Sequence, residues 1–160
     1  MTIKCHEFIL LTYYELGDVF FPAIIEDIRK AKKFIFIEFY ILSEGNLWQE
    51  IFAILKQKVA EGVEVRILYD DFGCITCLPK HFDKELSKVG IKTAAFNVIK
   101  PVVNNFYMNY RNHQKICVID GNIGYTGGAN IADEYVNTVE AFGHWKDTGV
   151  MVRGQAARSF

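Results

Sequence analysis

From Phe34 to Leu42 the chain reads FIFIEFYIL, an aromatic and β-branched run with one charge, Glu38, at its middle. A run this short, without helical spacing, suits a strand inside a sheet that is covered on both faces. Two amphipathic helical patterns bracket it. From Val19 to Lys33, Phe20, Ile24, Ile25, Ile28 and Ala31 recur at helical spacing, with Asp18 at the N-cap position and Pro22 in the first turn, where proline is tolerated. From Asn46 to Gly62, Trp48, Ile51, Phe52 and Leu55 share one face, and Gly62 closes the helix. The alternation continues. Val63 to Tyr69 reads as a strand, Pro79 to Val89 as a helix and Ile91 to Phe96 as a strand. A strand through Lys115 follows, then a tight turn at Asp120-Gly121-Asn122 and a strand from Ile123 to Thr126. A short helix from Ile131 to Tyr135 and a strand from Trp145 to Arg153 end the series. Alternation of this kind predicts one layered α/β/α domain over residues 1–160, built on a central mixed, largely parallel sheet. Residues 1–12 signal no element. No repeat, low-complexity segment or linker divides the chain.

Composition enters as a set of exclusions. The chain is 51% hydrophobic and 14% aromatic, so it has the material for a packed core and is not a disordered segment. Its net charge of −1 provides no overall field for nucleic acid. No stretch reaches the roughly 20 apolar residues that span a bilayer, and the N-terminus lacks the pattern of a signal peptide. Cys74 and Cys77 form a C-x-x-C, which suits redox chemistry or two ordinary thiols; a zinc ribbon needs a second pair. Cys117 reads as a small core residue. No cluster with metal-ligand spacing occurs, and no metal or cofactor is expected.

The chemistry concentrates between Asn112 and Asn130, NHQKICVIDGNIGYTGGAN. Alternate residues of a strand share a face, so His113 and Lys115 emerge together. An imidazole beside an ammonium, with Asn130 and the Gly127-Gly128 backbone close by, makes a phosphate site with a nucleophile in it. Asp120 stands at a strand end before Gly121, a place that suits fixing the turn or a neighbouring lysine. Glu38, inside a buried strand, is either near the site or a hydrogen-bonded core carboxylate. Asp70 and Asp71 end a strand, where carboxylates either line a crevice or form a turn. Lys100 to Tyr110, rich in aromatics, is either a packed connector or a loop that meets lipid or a partner domain.

H-x-K-x4-D with a trailing G-G-x-N resembles the HKD motif of the phospholipase D superfamily. Tyr13 to Ile41, Ile67 to Gly73, Tyr110 to Tyr135 and His144 to Gly154 are similar to its bacterial cardiolipin synthase branch. The likeness runs along nearly the whole chain from about Tyr13. The family carries two such motifs per chain and this sequence has one, so the resemblance implies the first catalytic half, as a fragment or an isolated unit. It also implies metal-free phosphodiester exchange. One His attacks phosphorus, a second His from the other motif protonates the leaving alcohol, and Lys and Asn hold the developing charge. On this pattern the site residues are His113, Lys115, Asp120, Asn130 and Asp147, with Asp147 orienting the imidazole.

The implied activity is a phosphatidyltransferase that joins two phosphatidylglycerol molecules and releases glycerol. The alternative is a phosphodiesterase or nuclease acting as a homodimer. Implied partners are the phospholipid, a second phospholipase D-like half or homodimer mate, and a membrane surface; nucleic acid is not expected. The implied location is the bacterial cytoplasmic membrane, although the membrane-spanning segments usual in the family are not seen in this sequence.

Overall fold

A computed structural model describes residues 10–99 and 108–160. Strand β1 (Leu10–Tyr14) is the first element of the described residues, and helix α1 (Gly17–Lys30) follows. Asp18 is not the N-cap. Leu16 holds that place, and Asp18 lies in the first turn, where its charge meets the positive end of the helix dipole. Next come β2 (Phe34–Phe39), α2 (Asn46–Ala60) and β3 (Glu64–Asp70). The short α3 (Asp71–Cys74) and α4 (Phe82–Lys88) lead to β4 (Lys92–Phe96). The second half has β5 (Lys115–Ile119), β6 (Ile123–Gly127) and β7 (Gly149–Arg153). Two 3-10 turns, Asp133–Val136 and Gln155–Ser159, complete it.

The seven strands of the described residues form one sheet in the order β1-β7-β6-β5-β2-β3-β4. Here the expected fold class is corrected. Only β2 with β3 and β3 with β4 run parallel; the other four pairings are antiparallel. Parallel neighbours need a long crossover, usually a helix. The β2–β3 and β3–β4 links each contain one. The three-residue turn Asp120-Gly121-Asn122 forces β5 and β6 antiparallel, and the β6–β7 link holds only a 3-10 turn.

The layering is corrected too. Ile35, Ile37 and Phe39 of β2, Val65, Ile67 and Tyr69 of β3, Cys117 and Ile119 of β5, Tyr125 of β6 and Met151 of β7 join one buried cluster. Phe20, Phe21, Ile24 and Ile28 of α1, Trp48, Ile51 and Leu55 of α2, and Phe82 and Leu86 of α4 complete it. Each such large side chain, fully buried, contributes about 1.5–3 kcal/mol. Phe34, Phe36, Leu68, Ile116 and Val118 lie on the opposite face and line an open groove. Among the described residues that face carries only the C-terminal turn, with Ala157 and Phe160 on the groove. The run through β2 is therefore covered on one face, not two. Lys100 to Tyr107, most of the aromatic connector, lies outside the described residues.

The antiparallel pairings position the functional residues. Phe39 pairs with Lys115, Ile116 with Thr126, and Gly127 with Gly149. The end of β2, the start of β5, the end of β6 and the start of β7 thus meet at one end of the sheet.

Candidate active site

Lys115, the first residue of β5, is 4% exposed. Its Nζ donates to the His113 carbonyl oxygen at 2.9 Å and lies 5.3 Å from the centre of the Tyr40 ring. Burial pulls the Lys115 ammonium below its usual range, and the charge of Asp147 opposes that. Among the described residues the ammonium has one hydrogen-bond acceptor, which leaves two N–H groups for an anion.

His113 precedes the strand and is exposed. Its ring packs on Tyr40, with centroids 4.6 Å apart. Among the described residues its imidazole makes no hydrogen bond, and it is not bonded to Asp147. The Asp147 carboxylate instead lies against Gly128, and its Oδ1 accepts from Thr148 N at 3.0 Å. Its influence on Lys115 and on Tyr135 places its charge at the same end of the sheet.

Asn130 is 3% exposed, and both ends of its amide are in use. Oδ1 accepts from Ile41 N at 3.0 Å, and Nδ2 donates to Tyr135 Oη at 2.9 Å. One N–H of that amide is left for a ligand. The bond to Ile41 ties the loop after β6 to the end of β2, beside Tyr40.

Asp120 does not join this group. It lies past the other end of β5, about 17 Å from Lys115 at strand rise. Its carboxylate accepts from the backbone N–H groups of Lys32, Lys33 and Phe34 at 2.9, 2.7 and 3.0 Å. Burial raises its pKa, but those three donors outweigh burial and hold it below the usual carboxylate range. It fastens the α1–β2 junction to the β5–β6 turn.

The remaining acids also act inside the protein. Asp70 is fully buried. It caps α3 through Phe72 N and Gly73 N, and it accepts from Arg111 Nη1 and Asn112 N. Asp71 accepts from Ile99 N. Glu38 accepts from Asn112 Nδ2. Cys74 is buried, and burial pushes its thiol up to about 12. Its Sγ accepts from Leu42 N, a packing role. Sequence reasoning gave no role to Tyr40, Asn112 or Tyr135. Tyr40 sits two residues beyond Glu38 and Asn112 directly before His113, and those neighbours were the available signal.

Comparison with known proteins completes the picture. Residues 24–153 match the family described as cardiolipin synthase, PLD-like domain. A cardiolipin synthase of Oceanobacillus iheyensis is 46% identical over 89% of this chain and 29% of its own length. Cardiolipin synthase 2 of Staphylococcus epidermidis is 41% identical over 93% of this chain and 30% of its own. The chain thus spans about a third of the length of the curated relatives it matches. Among solved structures, NucT from Helicobacter pylori superposes with a TM-score of 0.71 at 17% identity, over 94% of this chain and 89% of that one. Phosphatidylserine synthase from Haemophilus influenzae gives 0.70, also at 17% identity, over 93% of this chain and 34% of that one. The fold and the clustered His113, Lys115 and Asn130 define a phospholipase D-like domain. The chain belongs to the cardiolipin synthase, PLD-like domain family.

Among the described residues, no helix is long and apolar enough to cross a membrane.

Proposed function

We propose that this chain supplies one half of a phosphatidyltransferase site of the cardiolipin synthase type. The observation that carries the reading is the buried ammonium of Lys115, held against the His113 carbonyl and over Tyr40 with two N–H groups to spare. A desolvated cation beside an accessible imidazole favours an anionic phosphodiester and the still more concentrated charge of its transition state. The 46% identity to a named cardiolipin synthase supports the choice of substrate.

In this mechanism a His113 ring nitrogen attacks the phosphorus of one phosphatidylglycerol. The P–N bond forms as the P–O bond to glycerol breaks, and a second His protonates the departing glycerol. The terminal hydroxyl of a second phosphatidylglycerol then loses its proton to that His and displaces His113. Asp147 holds the imidazole in the required tautomer once substrate draws the two together. Lys115 and Asn130 hold the phosphoryl oxygens. The second His comes from another phospholipase D-like half or a second copy of the chain, at a membrane surface where the lipid resides.

One observation keeps a second reading, a phosphodiesterase working as a homodimer. NucT is matched over 89% of its length, so a chain of about this extent also carries the fold.

The test is turnover of phosphatidylglycerol in vesicles by the purified chain, across a concentration series, with an acid-labile phosphatidyl adduct on His113 sought by mass spectrometry. A phosphatidyl group on His113, with activity rising more steeply than first order in protein, is the expected result. Full activity from a proven monomer with unmodified His113 overturns the half-site reading. Release of phosphatidic acid without cardiolipin moves it to the phosphodiesterase.

A further inference from the structure

We propose that Asn112 is the positioning residue for His113, and that Glu38 is the partner through which it acts. The proposal rests on the reading of His113 as nucleophile and deepens it. Asn112 is held on three sides. Its backbone N–H donates to Asp70 Oδ2 at 3.0 Å, and its Nδ2 donates to Glu38 Oε1. Its Oδ1 accepts from Gln114 N at 3.3 Å, a bond that reaches across His113 itself. His113 therefore sits at the tip of a side-chain-closed turn that is anchored to two strands at once. Asp70 ends β3 and Glu38 lies in β2, so the neighbouring parallel strands fix one residue from two directions.

The register explains why Glu38 serves. Residues alternate across β2, so Glu38 points to the face opposite Ile37 and Phe39, toward Ile116 of the paired strand. Two residues on, Tyr40 packs on the His113 ring, and Tyr40 N donates to Gln114 O at 3.0 Å. One short segment, Glu38 to Tyr40, thus grips the residue before His113, the ring of His113 and the residue after it. An imidazole without a hydrogen bond of its own among the described residues depends on such neighbours for its aim. Displacement of a catalytic group by about 1 Å lowers a rate on the order of a hundredfold.

The test exploits the polarity of the Asn112–Glu38 bond. Asn112→Ala removes the donor, and Asn112→Asp sets two carboxylates against each other. Glu38→Gln leaves an acceptor for Asn112. The double variant Asn112→Asp with Glu38→Gln reverses the bond, so that Gln donates and Asp accepts, while Asp still accepts from Gln114 N. The primary readout is the nuclear Overhauser effect between the rings of His113 and Tyr40 in the full chain, with the melting temperature recorded beside it. The contact should be lost in both single Asn112 variants and kept in Glu38→Gln and in the double variant. In preparations that turn over phosphatidylglycerol, kcat should fall about tenfold or more in the Asn112 single variants, KM should stay within about twofold, and the double variant should recover. An intact ring contact in Asn112→Ala, or its absence in the folded double variant, overturns the proposal. If His113→Ala turns over lipid as well as the unaltered chain does, the reading of His113 as nucleophile fails instead, and the ring contact still decides what Asn112 does.

Discussion

The carboxylate of Asp147 rests on Gly128 so closely that a Cβ at that glycine would stand 2.0 Å from Oδ1. The neighbouring glycine faces something different. A Cβ on Gly127 would stand 2.6 Å from the Thr148 carbonyl oxygen and 3.0 Å from the Gly149 Cα, both backbone atoms of the paired segment. Gly128→Ala meets a side chain that swings away, whereas Gly127→Ala meets a strand that does not. Gly128→Ala should therefore lower activity by about tenfold or more with little loss of stability. Gly127→Ala should cost roughly 1–3 kcal/mol in urea unfolding. Equal effects of the two on stability would contradict this division.

His113 and Asp147 separate by the kind of loss they produce. His113→Ala should abolish turnover in any assembly that is otherwise active. Asp147→Asn keeps the volume against Gly128 but no longer secures the imidazole tautomer. It should reduce kcat by about a hundredfold or more with an unchanged melting curve. Retention of most activity by His113→Ala would remove the nucleophile assignment.

Lys115 sets function against stability. An ammonium buried to 4% exposure with one carbonyl partner is costly to the folded state. Lys115→Met has nearly the same length and no charge. It should hold or raise the unfolding free energy, by up to about 2 kcal/mol, and lower turnover by on the order of a hundredfold or more. A clear loss of stability in this variant would mean that the ammonium is a structural bond and not a reserved anion site.

Asp120 should behave as a fastener. Its carboxyl lies below the usual range, so its stabilisation is complete above the unfolded-state value, near 4. It is lost as pH falls through the lower folded-state value. Asp120→Asn places an N–H₂ where a second acceptor oxygen stood. It should cost about 1.5–3 kcal/mol near neutral pH. The gap between the two proteins should narrow below about pH 4, and acid unfolding followed by circular dichroism checks it. A constant gap down to strongly acid pH would show that the charge of Asp120 is not what the three N–H groups need.

The sequence by itself determined much of the local structure. The helical stripes of α1 and α2 and the apolar runs of β2 and β3 lie within a few residues of where periodicity puts them, because burial of one face imposes the period directly. The grouping of His113 and Lys115 was legible for the same reason: it is two residues of spacing. Strand β1 was not legible, because its apolar Leu10, Leu11 and Tyr13 are exposed at a sheet edge and do not mark a buried face. Strand direction was also hidden. Period-two alternation reads the same both ways along a strand, and only connector length distinguishes parallel from antiparallel. The tertiary structure alone decided that the start of β5, the end of β6 and the start of β7 share one end of the sheet. That decision sets Asp147 against Gly128, bonds Asn130 to Ile41 and gives Asn112 to Glu38 and Asp70, while it brings Asp120 to the backbone of Lys32, Lys33 and Phe34. These are contacts between residues far apart in the chain, and they are fixed by strand pairing, which no local pattern of side chains encodes.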